Sequence, residues 1–60
     1  MLLNEFNCEV GKRDILSLHK IKDNVIFGID SYEYYLDVYL NKEQVKELVK
    51  DLNELLEVWS

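Results

Sequence analysis

From Val45 onward the apolar residues fall at Val45, Leu48, Val49, Leu52, Leu55, Leu56 and Trp59, the three- and four-residue spacing that lines one face of an α-helix. Lys42, Glu43, Lys46, Glu47, Lys50 and Glu54 occupy the other face, with Glu43 and Lys46, Glu47 and Lys50, and Lys50 and Glu54 as neighbours one turn apart. Asn41 is a favoured N-cap, and Gln44 stands three residues later where its amide can reach back to the cap, so the helix is predicted to start near Lys42.

Upstream the period changes to two. Tyr32, Tyr34, Leu36, Val38 and Leu40 alternate with Ser31, Glu33, Tyr35, Asp37 and Tyr39, a β-branched and aromatic pattern that predicts a strand over 31–40. Val25–Ile29 reads as a second strand. Asp23 and Asn24 are placed at the centre of a two-residue turn that joins it to a third strand over 15–22. In that third strand Leu16 and Leu18 share a face while Ile21 falls on the other, which suggests a bulge or twist there. Residues 2–10 alternate loosely, with Leu2, Phe6, Cys8 and Val10 on one side and Leu3, Glu5, Asn7 and Glu9 on the other, before a turn at 11–14. Antiparallel strands in sequence, closed by one amphipathic helix, predict an α+β domain: a three- to four-stranded antiparallel sheet with a C-terminal helix packed on one face in two layers. Tyr32, Tyr34, Leu36, Val38 and Leu40 are expected beneath the helix, and Tyr35 and Tyr39 on the uncovered face.

Length and charge narrow this picture. Sixty residues make one small domain, residues 1–60, and a chain of that size buries only about 60% of the surface its unfolded form exposes. Cys8 is the single cysteine, so no internal disulfide is available, and one Cys with one His cannot supply a structural zinc site. Self-association is the remaining stabiliser, and a homodimer is expected. The N-terminus lacks the charged and apolar regions of a signal peptide, and the longest apolar run, Val25–Ile29, is far short of the roughly 20 residues that span a bilayer. A soluble protein of the cytoplasm is expected, to which an unpaired cysteine is suited.

Chemistry is sparse. Catalysis needs a nucleophile beside a base and an orienting group, and this chain offers one Cys8, one His19 and no glycine-rich anion loop. No catalytic, cofactor or metal residues are assigned. Cys8 is expected to be a small buried apolar residue and His19 a strand residue facing solvent. A net charge of -5, from twelve acidic and seven basic residues, argues against direct nucleic-acid binding. Acidic and basic residues are too intermixed on the helix for the single-sign field of a DNA mimic.

Two features suit a protein interface. Glu33, Tyr35, Asp37 and Tyr39 form an aromatic and acidic stripe on the open face, and Tyr offers large contact area with a hydroxyl at low entropic cost. Tyr is also simply a good strand former. The second feature is the helix end. Asp51, Glu54 and Glu57 follow the last cation, Lys50, although carboxylates are unfavourable at a helix C-terminus. Either Lys12, Arg13, Lys20 or Lys22 lies nearby, or the last turn frays, or the patch meets a basic partner with Val58 and Trp59 as an apolar anchor.

The run Tyr34-Tyr35-Leu36-Asp37-Val38-Tyr39-Leu40-Asn41-Lys42-Glu43-Gln44-Val45-Lys46-Glu47-Leu48, a strand passing through a capped turn into a Lys/Glu/Leu helix, resembles small accessory proteins of bacteriophages and mobile elements from low-GC Gram-positive bacteria. The resemblance is one of size, composition and layout. It implies inhibition of a host enzyme or an anti-phage defence protein, in the host cytoplasm, by masking a surface or sequestering a signal. The leading expectation is a non-enzymatic protein-binding inhibitor acting through Glu33, Tyr35, Asp37, Tyr39, Glu54, Glu57 and Trp59. The alternatives are a nucleotide-signal sponge, using Lys12, Arg13 or Lys20 with a stacked Tyr between subunits, and a structural subunit of a phage assembly.

Overall fold

The computed structural model describes residues 1–11 and 13–60. It has four strands, β1 (Leu2–Asn7), β2 (Ile15–Ile21), β3 (Asn24–Asp30) and β4 (Tyr35–Leu40), followed by one helix, α1 (Lys42–Val58). The strands pair antiparallel in chain order, β1-β2-β3-β4. This is the α+β layout expected from the alternation of periods. Among the described residues no helix is long and apolar enough to cross a membrane.

The helix begins where the capping residues place it. Asn41 is extended (φ -85°, ψ 176°), and its side chain accepts from the Gln44 N–H at 2.9 Å while the Gln44 side chain accepts from the Asn41 N–H at 3.0 Å. Two otherwise orphaned donors are thereby satisfied. At the other end Trp59 is already extended, and its N–H donates to the Leu56 carbonyl.

The β2–β3 hairpin turns one residue earlier than the turn chemistry suggested. Ile21 pairs with Asn24, so Lys22 and Asp23 form the loop, and Lys22 takes the positive φ, 43°. Cross-strand matching decides this: Leu16 and Leu18 now face Ile29 and Phe27, and Ser17 faces Gly28. With Asp23 and Asn24 at the centre, Leu16 would instead face Ser31 and Lys20 would face Phe27. Asn24 is also engaged elsewhere, since its side-chain amide donates to the Leu40 carbonyl at 3.3 Å.

The irregularity expected in β2 lies in β1 instead, where the register with β2 shifts between Leu2 and Asn4. The extra residue breaks the strict alternation. Leu3 and Phe6 consequently line the same groove under the helix, while Leu2 pairs with His19. β1 stops at Asn7 rather than continuing to Val10, because Cys8 opens a turn in which its N–H donates to the Asp14 carbonyl at 2.8 Å. β4 likewise starts only at Tyr35. Ser31 to Tyr34 form a turn closed by a Ser31 N–H to Tyr34 carbonyl bond, so Tyr32 and Tyr34 are exposed at the turn rather than packed under the helix.

Leu16, Leu18, Val25, Phe27 and Phe6 share the sheet face that α1 overlies, together with Val45, Leu48, Val49 and Leu52 of the helix. The two layers do not close. Ile26, at 7% exposure, is the one buried large apolar residue among those described, and α1 buries none of its own. Between helix and sheet runs an apolar groove of about 530 Å³.

Candidate functional site: the open sheet face

The pairing register builds the uncovered face as rows that cross the strands. Asn7, Ile15, Asp30 and Tyr35 form one row, Glu5, Ser17, Gly28 and Asp37 the next, and Leu2, His19, Ile26 and Tyr39 the third. Three carboxylates, Glu5, Asp30 and Asp37, lie on this face, and none of the strand residues sharing it is Lys or Arg. Tyr35 and Tyr39 stand on either side of the middle row, both more than half exposed.

That middle row is a trough made by Gly28. A Cβ built at Gly28 would lie 2.5 Å from Ser17 Oγ, 3.1 Å from Tyr35 Oη and 3.2 Å from Asp37 Oδ1. Only a residue without a side chain admits these three groups together. Ser17, 8% exposed, donates its hydroxyl to the Gly28 carbonyl at 3.4 Å. The Tyr35 phenol is held protonated above its usual pKa of 10.0, chiefly by its hydrogen bond to Asp37, with desolvation and the charges of Asp37 and Asp30 adding to the effect. The Tyr35 ring itself remains more than half exposed.

Tyr35, Asp37 and Tyr39 therefore share the open face, as their alternation implied. Glu33 sits in the turn before β4 and not in the strand. Glu54, Glu57 and Trp59 belong to the end of α1, the helix whose Val45, Leu48, Val49 and Leu52 line the groove on the opposite face of the sheet, so they do not join the stripe. Gly28, Ser17, Glu5 and Asp30 were not singled out from sequence. An isolated glycine within a strand pattern was the available signal for the trough, whereas Glu5 and Asp30 join it only through a register that no local pattern specifies.

The basic residues separate into two ends. Arg13 stacks on the Tyr32 ring at 4.6 Å from its centroid, at the end of the sheet formed by the 8–14 and 31–34 turns. Lys20 and Lys22 lie at the other end of β2, roughly 20 Å along the strand, and with Lys42 line a cleft of about 390 Å³ beside the first turn of α1. Arg13 and Lys20 thus do not converge on one ligand within a chain, and Lys12 lies outside the described residues. Neither Lys20 nor Lys22 offsets the acidic helix end, since both line the cleft at the helix start. The one ion pair among the described residues is Lys46 with Glu43, 3.7 Å apart on the solvated face.

Cys8 is exposed, contrary to expectation, because β1 ends before it; its sulfur accepts the Gly11 N–H at 3.1 Å. His19 is half-buried beside Ile26 rather than fully facing solvent. Among the described residues no group of three His, Cys, Asp or Glu side chains is placed to hold a metal ion. No family model, curated protein or solved structure matches the chain.

Proposed function

We propose that this chain is a non-enzymatic binding protein that masks a basic surface of a larger protein with the open face of its sheet, and that its target is a host enzyme or anti-phage defence protein, as its resemblance to small phage accessory proteins implies. The observation that carries the reading is the pairing of two exposed tyrosines with three carboxylates on a face whose described strand residues include no lysine or arginine. Aromatic rings supply contact area at low entropic cost, and one-signed charge steers a basic partner and raises its on-rate.

The test is an affinity capture by the tagged protein from a Gram-positive bacterial lysate, with mass spectrometry of retained proteins and small molecules. A single stoichiometric protein supports the inhibitor reading, and loss of that protein on combining Tyr35→Ser with Tyr39→Ser assigns the surface. A second reading, a sponge for an anionic nucleotide-like signal, draws on the cleft lined by Lys20, Lys22 and Lys42. A retained nucleotide with no retained protein selects it. Open-ended self-assembly would select a structural subunit instead.

A further inference from the structure

A single copy of this chain is too open for its mass. A compact 60-residue domain has a radius of gyration of about 10.4 Å, against 12.9 Å here. A folded monomer of 7.2 kDa exposes about 4,100 Å², against 5396 Å² here. The surplus is about 1,300 Å², where a standard stable interface covers about 800 Å² on each partner. Part of it surrounds the apolar groove, where Val49 and Leu52 of α1 and Leu3, Phe6 and Leu16 of the sheet are all more than a third exposed, and Leu55 and Leu56 continue the exposed stripe along the helix.

We propose that this groove is filled by α1 of a second copy of the same chain, laid antiparallel in a closed two-fold dimer centred on Leu52. The spacing of α1 is symmetric about that residue. Val49 and Leu55 each stand three positions from it, Leu48 and Leu56 four, and Val45 and Trp59 seven. Antiparallel alignment places each of these opposite its counterpart, a self-complementary seam of the kind a two-fold axis demands. Trp59 of the second copy arrives at Val45, which forms part of the cleft lined by Lys20, Lys22 and Lys42. The acidic helix end, unfavourable against its own helix dipole, thereby meets the basic end of its neighbour.

The seam lies on the sheet face opposite Tyr35 and Tyr39, so it does not rest on the partner-binding reading, and either can fail alone. Sedimentation equilibrium over a dilution series is expected to give a species of twice the 7.2 kDa chain mass. In a Cys8→Ser background, oxidation is expected to cross-link the Leu52→Cys variant to itself and to leave Glu47→Cys, on the opposite side of the helix, uncrosslinked. Sedimentation of the unsubstituted chain remains decisive even if substitution at Leu52 disturbs folding. A monomer at every concentration, an open-ended series of larger species, or a dimer in which Glu47→Cys cross-links and Leu52→Cys does not would overturn the proposal.

Discussion

Replacing Gly28 with alanine puts the architecture of the open face to a quantitative test. The new Cβ would meet Ser17 Oγ at 2.5 Å, whereas ordinary contact begins near 3.4 Å, so the buried hydroxyl must retreat by about 0.9 Å. Tyr35 Oη and Asp37 Oδ1, at 3.1 and 3.2 Å, must each give a few tenths of an ångström more. Overpacking of this kind costs about 1–3 kcal/mol, and the reduced freedom of the unfolded chain returns about 0.4–1 kcal/mol. The net expectation is destabilisation by about 1–2 kcal/mol, or a melting midpoint lowered by roughly 5–15 °C for a domain of this size. In a Ser17→Ala background the nearest obstacle is gone, and Gly28→Ala is expected to be neutral within about 0.5 kcal/mol or stabilising. Urea unfolding followed by far-ultraviolet circular dichroism, at one fixed protein concentration because association shifts apparent stability, measures all four corners of the cycle. Equal effects of Gly28→Ala in the two backgrounds would refute the close approach of Ser17 to Gly28 and with it the trough.

Lys22 carries a side chain at φ 43°, a left-handed conformation that costs an L-residue roughly 1–2 kcal/mol, against about 0.5–1 kcal/mol for the extra freedom of an unfolded glycine. Lys22→Gly is therefore expected to stabilise by about 0.5–1 kcal/mol; a thermal midpoint that stays put or falls counts against the turn as described. Ultraviolet titration of the four tyrosines is expected to show one ionising later than the rest, and Asp37→Asn to remove that late phase. Because the folded protein holds the Tyr35 proton more tightly than the unfolded chain, the associated stability is present below pH 10.0 and declines as pH rises through the folded-state value. Stability that does not decline as pH rises above that range would contradict the Tyr35–Asp37 bond.

The helix and its cap were legible because every determinant is local: Asn41 and Gln44 are three residues apart and bond to each other, and the apolar stripe repeats over four turns. The alternation of Leu36, Val38 and Leu40 against Tyr35, Asp37 and Tyr39 was legible for the same reason, and it assigned these residues to their faces. What escaped was non-local. The turn at Lys22 and Asp23 is set by matching Leu16 and Leu18 with Ile29 and Phe27 across the hairpin, against a local preference for Asp and Asn. The shift between Leu2 and Asn4 places Leu3 in the groove through pairing with β2, which the loose pattern of β1 does not encode. Tyr32 and Tyr34 continue the period-two pattern yet leave the sheet, since the chain needs those residues to turn and Arg13 packs on the Tyr32 ring. The candidate surface follows suit: its tyrosines were readable from β4 alone, and its trough required the three strands that bring Ser17, Gly28 and Asp37 into one row.

The claim that the open sheet face is the working surface is tested most directly by comparing wild type with the combined Tyr35→Ser and Tyr39→Ser variant in quantitative capture of the partner, with circular dichroism recorded on the same samples. Removing two exposed hot-spot rings is expected to lower affinity by roughly 1,000-fold, at about 2 kcal/mol for each ring, while the helical signal is unchanged. Undiminished capture by a folded variant would contradict the account and move the binding surface elsewhere on the molecule.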